Sequence, residues 1–254
     1  MLIAVAGATG RLGSHVVDVL KERGHDVVPM SRTHGVDVIT GDGLTEAMAG
    51  VDCIIDAATG PSPEEDAATA FFTTAARNLH EAGEAAGVRR MVVVSIIGID
   101  DLAGGYSVAK VAHERAALAG PLPVRILRAA QFHEFVGQLL DWGTQGDVGY
   151  VGETRTQLVA ARSVAETLVD LATDFSPADD GTKPFLEIAG PRNENFVDAA
   201  TLLAAKRGRP NKIEVATNPQ DSDAEATANG ALLPGPDAIL AGPTYAEWLE
   251  TADV

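Results

Sequence analysis

Three glycines at three-residue intervals separate an apolar run from a helix-like stretch near the N-terminus. The run "LIAVAG" predicts a strand, residues 11–23 predict a helix, and Gly7, Gly10 and Gly13 lie at the junction. Glycine lets the backbone turn sharply and lets an anion approach without a Cβ in the way. The amides that begin a helix lack partners within it, and with the helix dipole they attract phosphate. The pattern therefore predicts a strand, turn and helix that hold a diphosphate, the alternative being a tight turn without a ligand.

Short apolar runs alternate with amphipathic stretches through the first two-thirds of the 254 residues. Alternation of strands with helices is typical of parallel pairing through crossover connections. Strands that are apolar throughout are expected where helices cover both faces of the sheet. We therefore predict an α/β fold with a doubly wound parallel sheet. The predicted strands are residues 2–7, 26–30, 36–40, 52–58, 91–96 and 124–130, and the predicted helices are residues 11–23, 43–49, 64–86, 104–119 and 132–142.

The pattern becomes less regular after residue 142. The segment 132–142 places its apolar side chains at helical spacing, which predicts one apolar helix face. Farther on, the sequence predicts helices at 163–172, 196–208 and 245–250, strands at 184–190 and 212–217, and an irregular stretch over 217–243.

Composition excludes several classes of protein. The formal charge of −17 repels phosphate backbones, so we expect no binding to nucleic acid. No run reaches eighteen apolar residues and the N-terminus does not resemble a signal peptide, so we expect a cytoplasmic protein without a membrane partner. Cys53 is the one cysteine and is predicted to be a buried apolar residue. The histidines show no metal-ligand spacing, so no metal is predicted.

The end of the second predicted strand bears on the choice of dinucleotide. An NAD-binding protein usually has an acid here for the ribose hydroxyls, whereas this chain has Ser31 and Arg32. Because a guanidinium forks onto a phosphate, we predict a preference for NADP(H) over NAD(H), the alternative being a solvated Arg32. Asp42 is predicted either to bind adenine or to cap a helix. Small residues after the fourth strand suit close approach of the backbone to the cofactor, namely Ala57, Ala58 and Thr59.

A second group of polar residues follows the strand at 91–96. Tyr106 and Lys110 are four residues apart and share one face of a predicted helix. A cation about 4 Å from a phenol favours the phenolate by about 4 kcal/mol at an effective dielectric of 20, so we expect Lys110 to lower the pKa of Tyr106. Ser95 ends the preceding strand, at the edge where open α/β sheets bind ligands. These three residues are the predicted catalytic group, although a tyrosine and lysine at this spacing are often ordinary surface residues.

Several motifs together resemble the atypical short-chain dehydrogenase/reductases of the NmrA-like, NAD(P)H-binding group. They are "GATGRLG", "SRT", "GDG", "VVVSIIGID", "YSVAK", "LRAAQFHEF", "VAARSVAETLVDLA", "EIAGP" and "YAEWLE". The resemblance implies a Rossmann core and a small C-terminal substrate lobe. It also implies that Lys110 binds the nicotinamide ribose, that Arg32 binds the adenosine phosphate, and that the pyrophosphate is surrounded by Gly7, Thr9, Gly10, Arg11, Leu12 and Gly13. The chain departs from many relatives in having one serine, Ser95, where they have two.

This resemblance leads to a prediction for the organisation and activity of the chain. We expect a dinucleotide-binding core over 1–142, and remaining core elements with a smaller substrate-binding lobe over 143–254. Gln131, Phe132 and His133 are candidate substrate contacts, with His133 facing either the cleft or water. The predicted activity is NADPH-dependent reduction of a hydrophobic quinone, enone or carbonyl compound, with Tyr106 as proton donor. The alternatives are a redox sensor without turnover and a cofactor-retaining isomerase or epimerase. The oligomeric state is open, a homodimer included.

Overall fold

The computed structural model describes residues 1–175, 185–216 and 221–253. Its strands are β1 (Leu2–Ala6), β2 (Asp26–Met30), β3 (Cys53–Asp56), β4 (Arg90–Ile96), β5 (Val124–Ala129), β6 (Thr144–Gln145), β7 (Val148–Gly152), β8 (Arg155–Thr156), β9 (Phe185–Ala189), β10 (Glu194–Asn195), β11 (Lys212–Ala216) and β12 (Ile239–Leu240). Its α-helices are α1 (Arg11–Glu22), α2 (Leu44–Ala47), α3 (Glu65–Ala86), α4 (Gly105–Ala119), α5 (His133–Gly143), α6 (Ala161–Thr173), α7 (Phe196–Arg207), α8 (Ala224–Ala228) and α9 (Tyr245–Thr251). Short 3-10 turns span Arg32–His34 and Ile99–Asp101.

A seven-stranded sheet runs in the order β12-β9-β5-β4-β3-β1-β2. β1 pairs in parallel with β2 and β3, β3 pairs in parallel with β4, and β9 pairs in parallel with β12. Because the order reverses around β1, helices from successive crossovers cover both faces of the sheet. The predicted doubly wound, Rossmann-type α/β fold is confirmed.

The described chain forms two compact units that interleave along the sequence. The first comprises Met1–Ser95, Gly105–Arg128 and Val164–Leu186, and the second comprises Ile96–Gly104, Ala129–Ser163 and Glu187–Val254. Each unit is assembled from segments that are not consecutive in the sequence, and the predicted boundary at residue 142 stays a prediction.

The first unit is built around the apolar strands. All four residues of β3 are buried, and α1 covers the sheet with Leu12, Val16, Val19 and Leu20, which recur at helical spacing. At about 25 cal/mol per Å² of apolar surface, each such side chain contributes about 1.5–3 kcal/mol on burial. This packing fixes the start of α1 against the end of β1.

The predicted strand at 36–40 is wrong. Asp37 Oδ1 accepts hydrogen bonds from the amides of Ile39 at 2.8 Å and Thr40 at 3.4 Å, which bends the chain into a turn. The side chain of Asn78 then donates to the carbonyls of Val38 and Ile39, both at 2.9 Å. A short polar side chain therefore outweighs the local β propensity of the valines.

The second unit has its own core. Val136 and Leu140 of α5 are buried with Ala200 and Leu203 of α7, as the predicted apolar face of α5 requires. A three-stranded sheet in the order β11-β7-β6 and the β10–β8 pair complete the unit. The sequence pattern did not predict β6, β8 and β10, which have two residues each, or β7, in which two of five residues are glycine. The predicted irregular stretch over 217–243 contains α8 and β12, and residues 176–184 and 217–220 lie outside the described residues.

Candidate active site

The glycine turn is shaped by backbone hydrogen bonds at the end of β1. The amides of Gly7 and Ala8 both donate to the carbonyl of Met30, at 3.0 and 3.3 Å, and the amide of Gly10 donates to Gly7 O at 2.8 Å. Gly7 has φ +75°, and a Cβ there would lie 2.7 Å from Ala57 O. Gly7 is therefore required both by its left-handed backbone and by the adjacent turn.

Gly13 and Gly10 are each required for a different reason. A Cβ on Gly13 would lie 2.1 Å from Gly7 O, so Gly13 allows α1 to pack directly on the turn. A Cβ on Gly10 would meet Gly7 O at 3.2 Å with no other atom within 4 Å, and Gly10 is exposed and lines a cleft. Gly10 thus leaves bare backbone facing the cleft, beside the start of α1.

The residues predicted to surround the pyrophosphate differ in their exposure to the cleft. Thr9 and Gly10 line the cleft, Arg11 is exposed at the first position of α1, and the side chain of Leu12 is buried in the core. Helix geometry leaves the first amides of α1, including those of Leu12 and Gly13, without a carbonyl partner inside the helix. Leu12 is therefore available to an anion through its backbone amide and not through its side chain.

The cleft has a volume of about 660 Å³ and extends from the glycine turn along the end of β2. Ser31 and Arg32 line it, Arg32 is exposed, and Ser31 Oγ is 2.8 Å from Thr33 Oγ1 and 2.7 Å from His34 Nδ1. The volume is in the range of small-molecule and cofactor sites.

Asp42 does not cap a helix. The N-cap of α2 is Gly43, which makes no side-chain cap bond, and Asp42 is exposed and is not among the residues that line the cleft. The acid in the cleft lining is Asp37, whose Oδ1 accepts from backbone amides. The turn at 36–40 brings Asp37 to the cleft, and an adenine contact of Asp42 stays a prediction.

The turn after β3 connects the cleft to α4. Ala57, Ala58 and Thr59 line the cleft, and Asp56 Oδ1 accepts the amide of Ala58 at 3.0 Å. Thr59 Oγ1 lies 3.1 Å from Tyr106 Oη, near the start of α4. A phenol and the cleft lining are therefore in direct contact.

One face of α4 packs on Phe72 of α3. The ring of Tyr106 meets it edge-on at 5.7 Å, and the ring of His113 stacks on it at 4.6 Å with a 16° interplanar angle. Lys110 Nζ lies 4.5 Å from the centroid of the same ring. Tyr106, Lys110 and His113 are spaced by four and three residues, so one aromatic ring orders all three.

Lys110 is buried and hydrogen-bonded on two sides. Its Nζ donates to Val94 O at 2.9 Å and lies 2.8 Å from His113 Nδ1, while His113 Nε2 lies 3.1 Å from Asp56 Oδ2. All three side chains are at most 4% exposed. Sequence analysis missed Asp56 and His113, and the available signal was a carboxylate that ends an otherwise apolar strand.

Burial dominates the ionisation of these groups. It lowers the pKa of Lys110 to about 8, despite the opposing charges of Asp56 and Glu114. Burial and the charge of Lys110 lower the pKa of His113, which favours the neutral ring. Burial would raise the pKa of Asp56, but the hydrogen bonds from His113 and the Ala58 amide, together with the charge of Lys110, outweigh it and lower that pKa.

The expected lowering of the Tyr106 pKa by Lys110 is not found. Burial raises the pKa of Tyr106, and the hydrogen bond from Thr59 opposes that rise. The physical reason is that the ammonium of Lys110 is directed to Val94 O and His113 instead of the phenol.

Ser95 lies in β4 and is 2% exposed. Its Oγ has no hydrogen-bond partner among the described residues. A buried hydroxyl without a partner loses about 1–3 kcal/mol of solvation, so a group bound beside it would be stabilised by hydrogen bonding to this oxygen.

The three predicted substrate contacts lie in the second unit. Gln131 and Phe132 are half-buried, the carbonyl of Gln131 accepts the amide of Val159, and Phe132 is the N-cap of α5. His133 faces neither cleft nor water: it is fully buried, its Nε2 lies 3.1 Å from Pro243 O, and its ring packs on Tyr245 and Trp248. Burial lowers the pKa of His133 to about 4, so the ring is neutral at neutral pH and packs in the core of the second unit.

No helix in the described ranges is both long and apolar enough to span a membrane. Within the same ranges, no three His, Cys, Asp or Glu side chains are grouped so as to hold a metal ion.

Solved structures with similar folds cover almost the whole chain. MoeE5 in complex with UDP-glucose and NAD is 20% identical with a TM-score of 0.70, over 98% of this chain and 99% of that one. The UDP-N-acetylglucosamine 4-epimerase from Bacillus cereus is 18% identical with a TM-score of 0.69, over 98% and 94%. The Bordetella bronchiseptica enzyme WbmH in complex with NAD+ is 16% identical with a TM-score of 0.70, over 99% of each chain. At these identities the likeness establishes the fold.

No curated protein matches the chain at a significant level. The family model described as NAD(P)H-binding matches residues 7–175, a range that includes the glycine turn, Arg32, Thr59, Tyr106 and Lys110. Since this range is more than half of the sequence, the chain belongs to the NAD(P)H-binding family of NmrA-like, atypical short-chain dehydrogenase/reductases.

Proposed function

We propose that the protein is an NADPH-dependent reductase of a hydrophobic quinone, enone or carbonyl compound. The observation that carries the proposal is the position of Thr59, which lines the cleft and is hydrogen-bonded to Tyr106 at 3.1 Å. A proton donor thereby adjoins a cleft suited to a dinucleotide. The glycine turn, Arg32 and Lys110 would bind the cofactor, and Ser95 would contact the substrate.

The residues around the cleft fit a dinucleotide. Bare backbone at Gly10 and the first amides of α1 suit a pyrophosphate, with Thr9 and Arg11 beside them. The turn of Ala57, Ala58 and Thr59 adjoins Gly7 and adds small side chains to the lining of the same cleft. Lys110 would bind the nicotinamide ribose, since an ammonium has three donors and Val94 O and His113 take two of them.

The donors at the end of β2 favour NADPH over NADH. Ser31 and Arg32 present a hydroxyl and an exposed guanidinium to the cleft, which suits a 2′-phosphate. Asp37 also lines the cleft, but its Oδ1 accepts hydrogen bonds from the amides of Ile39 and Thr40 in its own turn.

The chemistry that NADPH would supply, when bound in this cleft, is a hydride for the electrophilic carbon of the substrate. Tyr106 would donate its phenolic proton to the substrate oxygen that becomes negatively charged as the hydride adds, whether an alkoxide, an enolate or a phenolate oxygen, and solvent would then reprotonate the tyrosine. Because burial raises its pKa, Tyr106 carries its proton at neutral pH, and the negative charge that develops on the substrate oxygen would have to draw that proton across. Ser95 Oγ would hydrogen-bond the substrate oxygen, and Lys110 supplies positive charge one helical turn from the phenol.

A cofactor-retaining epimerase is the second candidate. The observation that favours it is the likeness of the fold to a UDP-N-acetylglucosamine 4-epimerase over nearly the whole chain. In such an enzyme Tyr106 would act alternately as base and acid, and the cofactor would be regenerated in each turnover. A redox sensor that binds NADPH without turnover is the third candidate, and the presence of both Tyr106 and Lys110 argues against it.

The test is oxidation of NADPH, followed by absorbance, with a panel of quinones, enones and aldehydes. We expect turnover that Tyr106→Phe reduces by at least about a hundredfold, the lower range for loss of a general acid. The matched control is Tyr150→Phe, which alters a partly exposed tyrosine of the second unit. Tight NADPH binding without turnover would favour the sensor. Cofactor that co-purifies, with conversion of UDP-N-acetylglucosamine and no net NADPH oxidation, would favour the epimerase.

A further inference from the structure

Lys110 of the proposed reaction is joined by hydrogen bonds to two further buried residues, His113 and Asp56, to which that reaction assigns no role. Lys110 Nζ and His113 Nδ1 are 2.8 Å apart, and His113 Nε2 and Asp56 Oδ2 are 3.1 Å apart. The three residues come from α4 and from the end of β3, and Phe72 covers them from α3. The imidazole therefore stands between a buried ammonium and a buried carboxylate.

The hydrogen-bond chemistry fixes the tautomer of this imidazole. An ammonium has only donors, so His113 Nδ1 must accept from Lys110. A carboxylate has only acceptors, so His113 Nε2 must carry the proton that is donated to Asp56. The ring is neutral, and the two formal charges lie at the ends of the chain of hydrogen bonds.

The charged and titratable groups around Lys110 are few. Asp56 faces it from β3, His113 and Glu114 from α4, while β4 supplies the carbonyl of Val94 and α3 supplies the uncharged ring of Phe72. Glu114 is held by Arg128 through bonds of 2.9 and 2.6 Å. Asp56 is therefore the carboxylate among these groups that is not held by an arginine, and its hydrogen-bond connection to Lys110 runs through His113.

Asp56 also supports the other half of the site. Its second oxygen accepts the amide of Ala58, one residue before Thr59, whose hydroxyl lies against Tyr106. One carboxylate thus holds the turn that positions Tyr106 and, through His113, the ammonium of Lys110.

We propose that His113 and Asp56 are positioning residues that keep Lys110 charged and fix its direction, with its third donor left for the cofactor ribose. The inference rests on the proposed function for the identity of that ligand. Without His113, the buried ammonium loses one of its two acceptors and its connection to Asp56. Lys110 would then release its proton at lower pH and would bind the ribose less well.

The first test is NMR of the uniformly labelled full chain, with the histidine ring nitrogens observed by long-range proton–nitrogen correlation. We expect His113 to show an unprotonated Nδ1 and a protonated Nε2 throughout the neutral range. A ring with Nδ1 protonated, or protonated on both nitrogens, would overturn the proposal. This measurement needs neither cofactor nor turnover, and it needs no variant to fold.

The second test is the NADPH dissociation constant as a function of pH, by calorimetry. His113→Leu is expected to weaken binding about tenfold at neutral pH, the lower range for a hydrogen bond to a charged group. It should also begin to lose affinity at lower pH than the parent. His113→Asn keeps an acceptor near the Nδ1 position and should recover most of the affinity. The control is His80→Leu, which removes another buried imidazole, hydrogen-bonded to Ala117 O outside this group.

The outcomes separate this inference from the proposed function. Equal affinities and equal pH profiles for the parent and His113→Leu would overturn the inference even if the parent reduces its substrate. NADPH binding that responds to His113 without any turnover would support the positioning role and contradict the reductase. Should His113→Leu fail to fold, Asp56→Asn and the tautomer of the parent decide the matter by the same criteria.

Discussion

Alanine substitutions at Gly10 and Gly13 test two different properties: cofactor binding at Gly10 and packing of α1 at Gly13. A Cβ at Gly13 would lie 2.1 Å from Gly7 O and 2.7 Å from Gly7 C, and these are backbone atoms that cannot rotate away. A Cβ at Gly10 would lie 3.2 Å from Gly7 O only, and the backbone of Gly10, with φ −77° and ψ 170°, is one that alanine readily adopts. The same one-methyl substitution should therefore have opposite consequences at the two positions.

The expected changes in stability follow from these contacts. For Gly13→Ala, overpacking costs about 3 kcal/mol and the better helix propensity of alanine returns at most about 1 kcal/mol. The net loss of about 2 kcal/mol lowers the Tm by about 4–8 °C in a chain of this size. For Gly10→Ala, the weaker N-cap and the reduced entropy of the unfolded chain oppose each other, so stability changes by less than about 1 kcal/mol.

The expected change in binding is the reverse. In Gly10→Ala the methyl group enters the cleft where a pyrophosphate would lie against the backbone, so NADPH affinity should fall at least about tenfold, or 1.4 kcal/mol. Stability is measured by urea and thermal unfolding, and binding by calorimetry on the folded protein. If Gly10→Ala binds NADPH as tightly as the parent, the turn does not hold a diphosphate, and the assignment of the cleft is refuted.

Three further predictions concern charged groups. Arg32→Ala should weaken NADPH binding by about tenfold to a hundredfold, as expected for loss of a charge-assisted contact, and should leave NADH binding unchanged; equal loss for both would contradict the 2′-phosphate role. Burial lowers the pKa of Lys110 from 10.5 to about 8, so between these pH values the unfolded chain holds a proton that the folded chain has released. The free energy of unfolding should therefore rise by up to about 3 kcal/mol as pH rises through that window. Urea unfolding at each pH should show this rise in the parent and not in Lys110→Met. If the free energy of unfolding changes equally with pH in both proteins, the low pKa of Lys110 is contradicted. Glu114→Ala removes the bidentate carboxylate from a guanidinium whose side chain is 13% exposed, and should cost about 2–3 kcal/mol in the free energy of unfolding. The exposed pair of Arg77 and Glu81 is the control, since Glu81→Ala should cost under about 0.5 kcal/mol.

The local elements of the first unit could be predicted from the sequence because their signals are local. The apolar run of β1, the glycines after it and the spacing of apolar residues in α1 each act within one turn or strand. The end of α3 is similar, since Gly87 takes the left-handed conformation that ends a helix. Tyr106 and Lys110 could be placed on one helix face for the same reason.

The partners of these residues depended on the tertiary structure. The sequence determined that Tyr106, Lys110 and His113 lie on one helix, and Lys110 bonds His113 three residues farther on. The acceptors that fix their directions come from other elements: Val94 O of β4 lies 16 positions from Lys110, and Asp56 at the end of β3 lies 57 positions from His113. The same holds for His133, whose neighbours Pro243, Tyr245 and Trp248 are about a hundred residues away. Periodicity reports which side of an element is apolar, whereas the direction of a buried polar side chain is decided by whichever distant acceptor removes the cost of its desolvation.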